Sequence, residues 1–150
     1  MNKLNLYQEI LPQIQSLLEN ETDLIANLSN LSSVIHNTFS FHWTGFYLVK
    51  NDTLVLGPFQ GPVACTRIAY GKGVCGTAWK EKMTKIVDDV HSFDGHIACS
   101  PLSQSEIVIP LLTQNKEVWG VLDIDSEHLS TFDSVDELYL KQITNLLKSE

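Results

Sequence analysis

The sequence is poor in basic residues and has no long apolar segment. Lys and Arg together number 10 against 18 Asp and Glu, which gives a formal net charge of -8. Because phosphates and anionic membrane surfaces repel a chain of that sign, we expect neither nucleic acid nor membrane as a partner. No run of about 18 apolar residues is present to cross a bilayer. The start MNKLNLYQEI also lacks the apolar core of a secretory signal, so we expect a cytoplasmic protein.

Cysteine is scarce as well. The chain has three, Cys65, Cys75 and Cys99, and an odd number cannot pair completely within one chain. Its 150 residues can bury enough apolar surface to fold without cross-links, so structural disulfides are not expected. The grouping of the three thiols in the middle third of the chain, near His91 and His96, therefore requires a chemical explanation.

Apolar residues recur every three or four positions near the N-terminus. They do so over residues 3–19 and again up to about residue 39, a spacing typical of amphipathic helices. Asn20 or Thr22 is the expected N-cap of the second helix. Residues 1–39 are thus predicted to form N-terminal helices.

Residues 41–125 show the pattern of strands. Residues 43–49 and 53–56 flank a polar turn, as do residues 106–112 and 118–125, and both pairs predict β-hairpins.

Glycine and proline interrupt the region between these hairpins. Residues 57–62 (GPFQGP) predict an irregular connection rather than a central strand. Residues 71–76 (GKGVCG) match G-x-G-x-x-G but follow only a weak strand, so we do not interpret them as a dinucleotide site. A short helix at 74–82, a strand at 84–87 and a long loop at 88–105 are expected next.

Helical spacing returns at the C-terminus. Residues 133–148 predict a helix, with Asp133 or Ser134 as its N-cap. Helices at both ends therefore frame a mostly antiparallel sheet, and we expect one α+β domain over residues 1–150.

Three acidic residues are predicted to meet at one end of this sheet. Glu106 begins one strand of the second hairpin and Asp125 ends the other, so they are expected neighbours. Asp123 and Asp125 share one face because side chains alternate along a strand, as do Trp43 and Tyr47 on the first strand. Crowded carboxylates raise one another's pKa and keep a proton near neutrality. A thiolate beside such an acid suits removal of oxygen from a substrate.

Other interpretations of these residues stay open. Cys65 and Cys75 also suit small buried positions, and Trp43 and Tyr47 suit the core. Sulfur and nitrogen ligands sufficient for a tetrahedral zinc ion are present at Cys65, Cys75, His91, His96 and Cys99. They lack the close C-x-x-C or H-x-x-x-H spacing of such sites, so we expect no metal.

Five segments, taken in order, resemble the free methionine-R-sulfoxide reductases, which are single GAF-type domains. The segments are WTGFYL (43–48), GPFQGPVACTRI (57–68), GKGVCGTA (71–78), VDDVHSFDGHIACSPLSQSEIVIPL (87–111) and GVLDIDSE (120–127). The resemblance implies reduction of free methionine-R-sulfoxide to methionine, with no bound cofactor and with thioredoxin as the reductant. A GAF module that senses a small ligand without turnover is the alternative. A homodimer formed through the N-terminal helices also stays open.

The resemblance also assigns roles to the thiols. Cys99 matches the nucleophile, Cys65 the resolving cysteine, and Cys75 an auxiliary thiol. In this scheme Cys99 becomes a sulfenic acid and then forms a disulfide with Cys65.

The pocket residues are assigned in the same way. Glu106, Asp123 and Asp125 match residues that hold the sulfoxide oxygen and the substrate ammonium, and Glu106 or Asp125 would protonate the oxygen. Trp43 and Tyr47 match the aromatic wall around the S-methyl group.

Overall fold

The computed structural model describes residues 2–95 and 99–147, so His96 lies outside the described residues. Within these residues the elements are α1 (Lys3–Glu19), α2 (Leu24–Phe39), β1 (Trp43–Lys50), β2 (Thr53–Gln60), β3 (Arg67–Ala69), α3 (Gly73–Glu81), β4 (Lys85–Val87), a 3-10 helix (Val90–Ser92), β5 (Ser105–Leu112), β6 (Val118–Ser126) and α4 (Ser134–Thr144). The strands form one antiparallel sheet in the order β3-β2-β1-β6-β5-β4. The predicted α+β class is confirmed. None of the helices described is long and apolar enough to span a bilayer.

The two faces of the sheet are covered by different helices. Because side chains alternate along each strand, Phe46 and Leu122 point to one face, where they pack in a core with residues of α1, α2 and α4. Tyr47 and Val121 point to the other face and pack with residues of α3. The acidic residues of β5 and β6 lie on this second face, which the short helix α3 and the loops around Cys65 and Cys99 cover.

Two helix ends differ from the prediction. The N-cap of α2 is Asp23 rather than Asn20 or Thr22, and its carboxylate accepts a hydrogen bond from the backbone N–H of Ala26. The Glu21 carboxylate accepts hydrogen bonds from the backbone N–H groups of residues 22 and 23. These bonds keep the segment between α1 and α2 extended as far as Asp23. At the C-terminus, α4 ends at Thr144 and three-residue turns follow, so this helix is shorter than the predicted 133–148.

The expected irregular connection at residues 57–62 is wrong for its first four residues. Strand β2 continues through Gly57 and Pro58 to Gln60. The register between β1 and β2 shifts between Gly45 and Tyr47, so Pro58 lies in a bulge. Since β2 pairs with β3 only as far as Val55, the proline also lies where β2 is an edge and its missing N–H costs no ladder bond.

A buried carboxylate joins the first and last helices. Asp136, 1% exposed, accepts hydrogen bonds from Tyr7 Oη at 2.7 Å and from Lys3 Nζ at 2.5 Å. It also accepts the N–H of Asp133 and thereby completes the capping box of α4.

We expect Asp136→Ala to lower the free energy of unfolding by about 3 kcal/mol, because the Tyr7 hydroxyl and the Lys3 ammonium lose their shared acceptor. Urea unfolding followed by circular dichroism measures the change. Glu137→Ala is the matched control, since Glu137 forms a partly exposed ion pair with Lys141 one helical turn away, and we expect its change to stay within about 0.5 kcal/mol. Equal losses in the two variants would contradict the role of Asp136.

Candidate active site

A cavity opens between α3 and the end of the sheet formed by β1, β5 and β6. Its empty volume is about 550 Å³ when the open mouth is included. Trp43, Tyr47, Cys75, Cys99 and the three acidic residues named above all line it. The structure therefore brings together the predicted site residues except Cys65, which reaches the cavity edge through its bond to Cys99.

Strand register places the three acidic residues. Glu106 pairs directly with Asp125 across the β5–β6 hairpin, as predicted, and Asp123 lies two residues before Asp125 on the same face. On the other side of β6, Asp125 pairs with Trp43 and Asp123 with Gly45. The carboxylates thus lie beside the indole at the same end of the sheet.

Burial raises the pKa of each of these carboxyl groups, and neighbouring charges raise it further for Glu106 and Asp125. For Glu106 the burial comes first, followed by the charges of Asp123 and Asp125. Burial and then the Asp123 charge raise the pKa of Asp125, although Ser103 Oγ donates to this group at 3.1 Å. The pKa of Asp123 is raised by burial, against the opposing effect of hydrogen bonds from Glu106 and Cys75. The predicted rise in pKa is confirmed, and the cluster can hold protons near neutrality.

Trp43 and Tyr47 form a fixed aromatic wall. Their ring centroids are 5.9 Å apart, and Trp43 also stacks on Phe59 at 5.2 Å. A Cβ on Gly45 would lie 2.3 Å from Cβ of Phe59 and 2.7 Å from the Trp43 ring, so only glycine allows this packing. Tyr47 Oη donates to the carbonyl of Cys65 at 2.8 Å and so ties the Cys65 loop to the wall.

Cys65 and Cys99 are joined by a disulfide, with Cα atoms 5.6 Å apart. This is the pairing that the resemblance implies, although the cysteine count alone favours no cross-link. Cys75, the third of the three cysteines, is not part of a disulfide. Both half-cystines lie in loops and are partly exposed, so a second dithiol can approach the bond.

Cys75 differs from the other two cysteines because it is buried in the first turn of α3. Burial, and then the charges of Asp123, Glu106 and Asp125, raise the pKa of its thiol well above the usual value. The thiol also hydrogen-bonds Asp123. Cys75 is therefore a neutral hydrogen-bond donor inside the cavity at physiological pH.

One hydrogen-bonded chain beside the nucleophile candidate has no signal in the sequence. His42 Nε2 lies 2.9 Å from Ser100 Oγ, and His42 Nδ1 lies 3.1 Å from Glu127 Oε1. Ser100 follows Cys99 directly, so this chain connects the Cys99 loop to the start of β1 and the end of β6. Residues that are distant in sequence form it, and only the tertiary structure reveals it.

The zinc ligands considered from sequence do not assemble as free thiolates. Cys65 and Cys99 are bonded to each other, and His91 is exposed on the 3-10 helix. Among the residues described, the group able to hold a metal is instead Cys75 with Glu106 and Asp123.

The sheet, its flanking helices and the cavity over the sheet end define a GAF domain, and the model of the GAF domain family matches residues 14–149. The free methionine-R-sulfoxide reductase of Escherichia coli K12 is 46% identical over 149 residues, covering 99% of this chain and 90% of that protein. GAF domain-containing protein A of Dictyostelium discoideum is 56% identical over 142 residues, covering 94% of this chain and 89% of that protein. The X-ray structure of free methionine-R-sulfoxide reductase from Neisseria meningitidis in complex with its substrate superposes with a TM-score of 0.96 at 52% identity, covering 99% of this chain and 89% of that chain. The chain belongs to the GAF domain family and, within it, to the family of the free methionine-R-sulfoxide reductases.

Proposed function

We propose that this protein reduces free L-methionine-(R)-S-oxide to methionine by thiol chemistry, with residues 1–150 acting as a single GAF domain. The observation that carries the proposal is the Cys65–Cys99 bond beside a cavity that holds three carboxyl groups of raised pKa. The names of the Escherichia coli and Neisseria meningitidis relatives support the choice of substrate.

In the first half-reaction the Cys99 thiolate attacks the sulfoxide sulfur. An S–S bond forms between Cys99 and the substrate, and Glu106 or Asp125 gives a proton to the sulfoxide oxygen. The sulfur–oxygen bond of the substrate then breaks as the hydroxyl passes to the Cys99 sulfur. The S–S bond breaks in the same rearrangement, so methionine leaves and Cys99 becomes a sulfenic acid. Methionine sulfoxide is thereby reduced by two electrons and the Cys99 sulfur is oxidised by two.

In the second half-reaction the Cys65 thiol attacks the sulfenic acid, and water leaves as the disulfide forms. Thioredoxin then reduces this disulfide through its own dithiol, which restores both thiols. We place the reaction in the cytoplasm because this reductant keeps thiols reduced there. Cys75 stays outside the exchange and donates its hydrogen bond to Asp123.

The proposed substrate is a free amino acid because the cavity offers opposite charges to its two ends. Glu106, Asp123 and Asp125 supply acceptors for the ammonium and the sulfoxide oxygen. Lys72 and the first N–H groups of α3 line the same cavity, and no side chain caps this helix. A helix N-terminus beside a lysine favours an anion, so we assign the substrate carboxylate to it. A methionine sulfoxide within a peptide lacks both charges.

The proposal predicts that reduced protein loses two of its three thiols when one equivalent of free methionine-R-sulfoxide is added. The S epimer and a peptide-bound sulfoxide should cause no loss, since neither presents the same groups to the cavity. Thiol titration after rapid denaturation measures the change, and methionine release is followed by chromatography.

Cys75→Ser is the matched control, and it should still lose two thiols because Cys75 does not enter the disulfide. A module that only senses a ligand would lose no thiols with any ligand, and that result would refute the proposed enzymatic activity.

A homodimer formed through α1 and α2 stays a separate prediction.

A further inference from the structure

A thiol and two carboxylates converge inside the cavity on three different elements. One ligand atom each from Cys75 on α3, Glu106 on β5 and Asp123 on β6 lie within 4.8 Å of one another, and all three residues are buried. The proposed reaction uses Glu106 and Asp123 for the substrate and leaves Cys75 without a step of its own.

A second observation shows that this place is suited to a ligand. Oδ1 of Asp123 is buried and has no hydrogen-bond partner among the described residues, although Asp123 is only 6% exposed and lines the cavity. A buried carboxylate oxygen without a donor is costly, and native structures seldom keep one unless a ligand or ion meets it.

We propose that Cys75, Glu106 and Asp123 form a binding site for a soft divalent cation such as Zn²⁺, and that the cation and the substrate exclude each other. The site is distinct from the set of ligands considered from sequence, because it uses carboxylates and only one thiol.

The geometry is close to that of a tetrahedral zinc site. In a tetrahedral site, bonds of about 2.3 Å to sulfur and about 2.0 Å to oxygen place the two oxygens about 3.3 Å apart and each oxygen about 3.5 Å from the sulfur. The three atoms lie within 4.8 Å of one another, so small side-chain rotations bring them to that spacing. Three protein ligands leave the fourth position to water from the cavity, as in zinc sites with an open position.

The ligand types favour Zn²⁺ over Mg²⁺ or Ca²⁺. Thiolate is a soft ligand that suits zinc, whereas the two harder ions need six or more oxygen ligands. Binding must remove the proton of the Cys75 thiol and any proton held by the carboxyl groups, so affinity rises with pH. Because Cys75 stands outside the Cys65–Cys99 bond, the site persists in the oxidised protein.

Oxidised protein allows a direct test with Co²⁺ as the probe, because Cys75 is its one free thiol. Anaerobic titration should produce the ultraviolet thiolate-to-cobalt charge-transfer band, and Zn²⁺ should remove it. Cys75→Ser should lose the band, and Asp123→Asn should weaken Co²⁺ and Zn²⁺ binding by about tenfold or more. Glu117→Gln, an exposed acid at the far end of the β5–β6 hairpin, is the control and should bind as the wild type does.

Circular dichroism checks that each variant is folded. Absence of the band in oxidised wild-type protein would overturn the site, and so would equal affinity in folded Asp123→Asn. Calorimetry gives a measure that needs no variant: Zn²⁺ binding to the wild type should release protons, and binding without proton release would also overturn the site.

The exclusion of substrate rests on the proposed function and is tested apart from the site itself. Saturating free methionine-R-sulfoxide should raise the apparent Kd for Zn²⁺ in oxidised protein, in which no turnover occurs. An unchanged Kd would overturn the exclusion and leave the metal site standing. If Zn²⁺ binds but the reduced protein loses no thiols with methionine sulfoxide, the proposed function fails and the metal site does not.

Discussion

Replacing Cys99 with serine is expected to abolish reduction of free methionine-R-sulfoxide and to leave its binding unchanged. A serine hydroxyl is nearly isosteric with the thiol, so the cavity keeps its shape. It is not ionised at neutral pH and cannot attack the sulfoxide sulfur. Turnover coupled to thioredoxin and its reductase should fall below detection. Quenching of tryptophan fluorescence, with Trp43 in the cavity wall, should give the same Kd for substrate as the wild type.

Cys65→Ser is the matched comparison for this experiment. It keeps the proposed nucleophile, so it should release one methionine per chain in a single turnover and then stop. Its Cys99 should remain as a sulfenic acid, which dimedone captures and mass spectrometry detects. Full activity of Cys99→Ser would refute the assignment of the nucleophile, and steady turnover of Cys65→Ser would refute the assignment of the resolving thiol.

The hairpin pattern predicts the acidic part of the site because register depends on short-range geometry. A short turn fixes the pairing of β5 with β6, and alternation then determines which side chains share a face. The hairpin places Glu106 and Asp125 at the same end of the sheet, and alternation places Asp123 on the same face as Asp125. The direct pairing of Glu106 with Asp125 also depends on a register shift between Leu111 and Leu112, which the pattern does not reveal. Burial is the largest cause of the three raised pKa values, and the charges of neighbouring acids add to it for Glu106 and Asp125.

Features that depend on contacts between distant segments are not predictable in this way. The continuation of β2 through Pro58 depends on β3 ending its pairing at Val55, which no local pattern reveals. The chain from Glu127 through His42 to Ser100 joins three separate parts of the sequence. The same holds for the approach of α3 to β6, where one oxygen of Asp123 has no hydrogen-bond donor among the residues that the structure describes. The pairing of Cys65 with Cys99 is implied by the family resemblance and not by the spacing of the cysteines in the sequence.

Glu106→Gln is expected to lower the rate of methionine formation by about 10² or more, the usual contribution of a general acid. Glutamine has the same size and stays neutral but cannot give up a carboxyl proton. Because burial and the neighbouring acids raise the pKa of Glu106, the wild-type rate should fall as pH rises through that pKa. The variant should lack this fall. Single-turnover rates measured across pH give both results.

The stability of Glu106→Gln shows whether a lower rate results from loss of the acid or from loss of the folded structure. A carboxyl group whose pKa is raised in the folded state stabilises the fold most below its unfolded pKa, and this contribution is lost as pH rises. Near pH 7 the wild-type Glu106 therefore destabilises the folded state, and a neutral glutamine removes this effect. Glu106→Gln should consequently unfold at no lower urea concentration than the wild type. Glu117→Gln, on the same hairpin but outside the cavity, should change neither rate nor stability.

Asp125→Asn then decides between the two candidate acids. Asp125 pairs with Glu106 across the hairpin and lines the same cavity, so both carboxyl groups are candidate donors in the proposed reaction. If Glu106 is the donor, Asp125→Asn should weaken substrate binding more than it slows the single-turnover rate and should keep the fall in rate at high pH. If the fall disappears in Asp125→Asn and survives in Glu106→Gln, Asp125 is the donor. The acid then lies on β6 beside the indole rather than on β5.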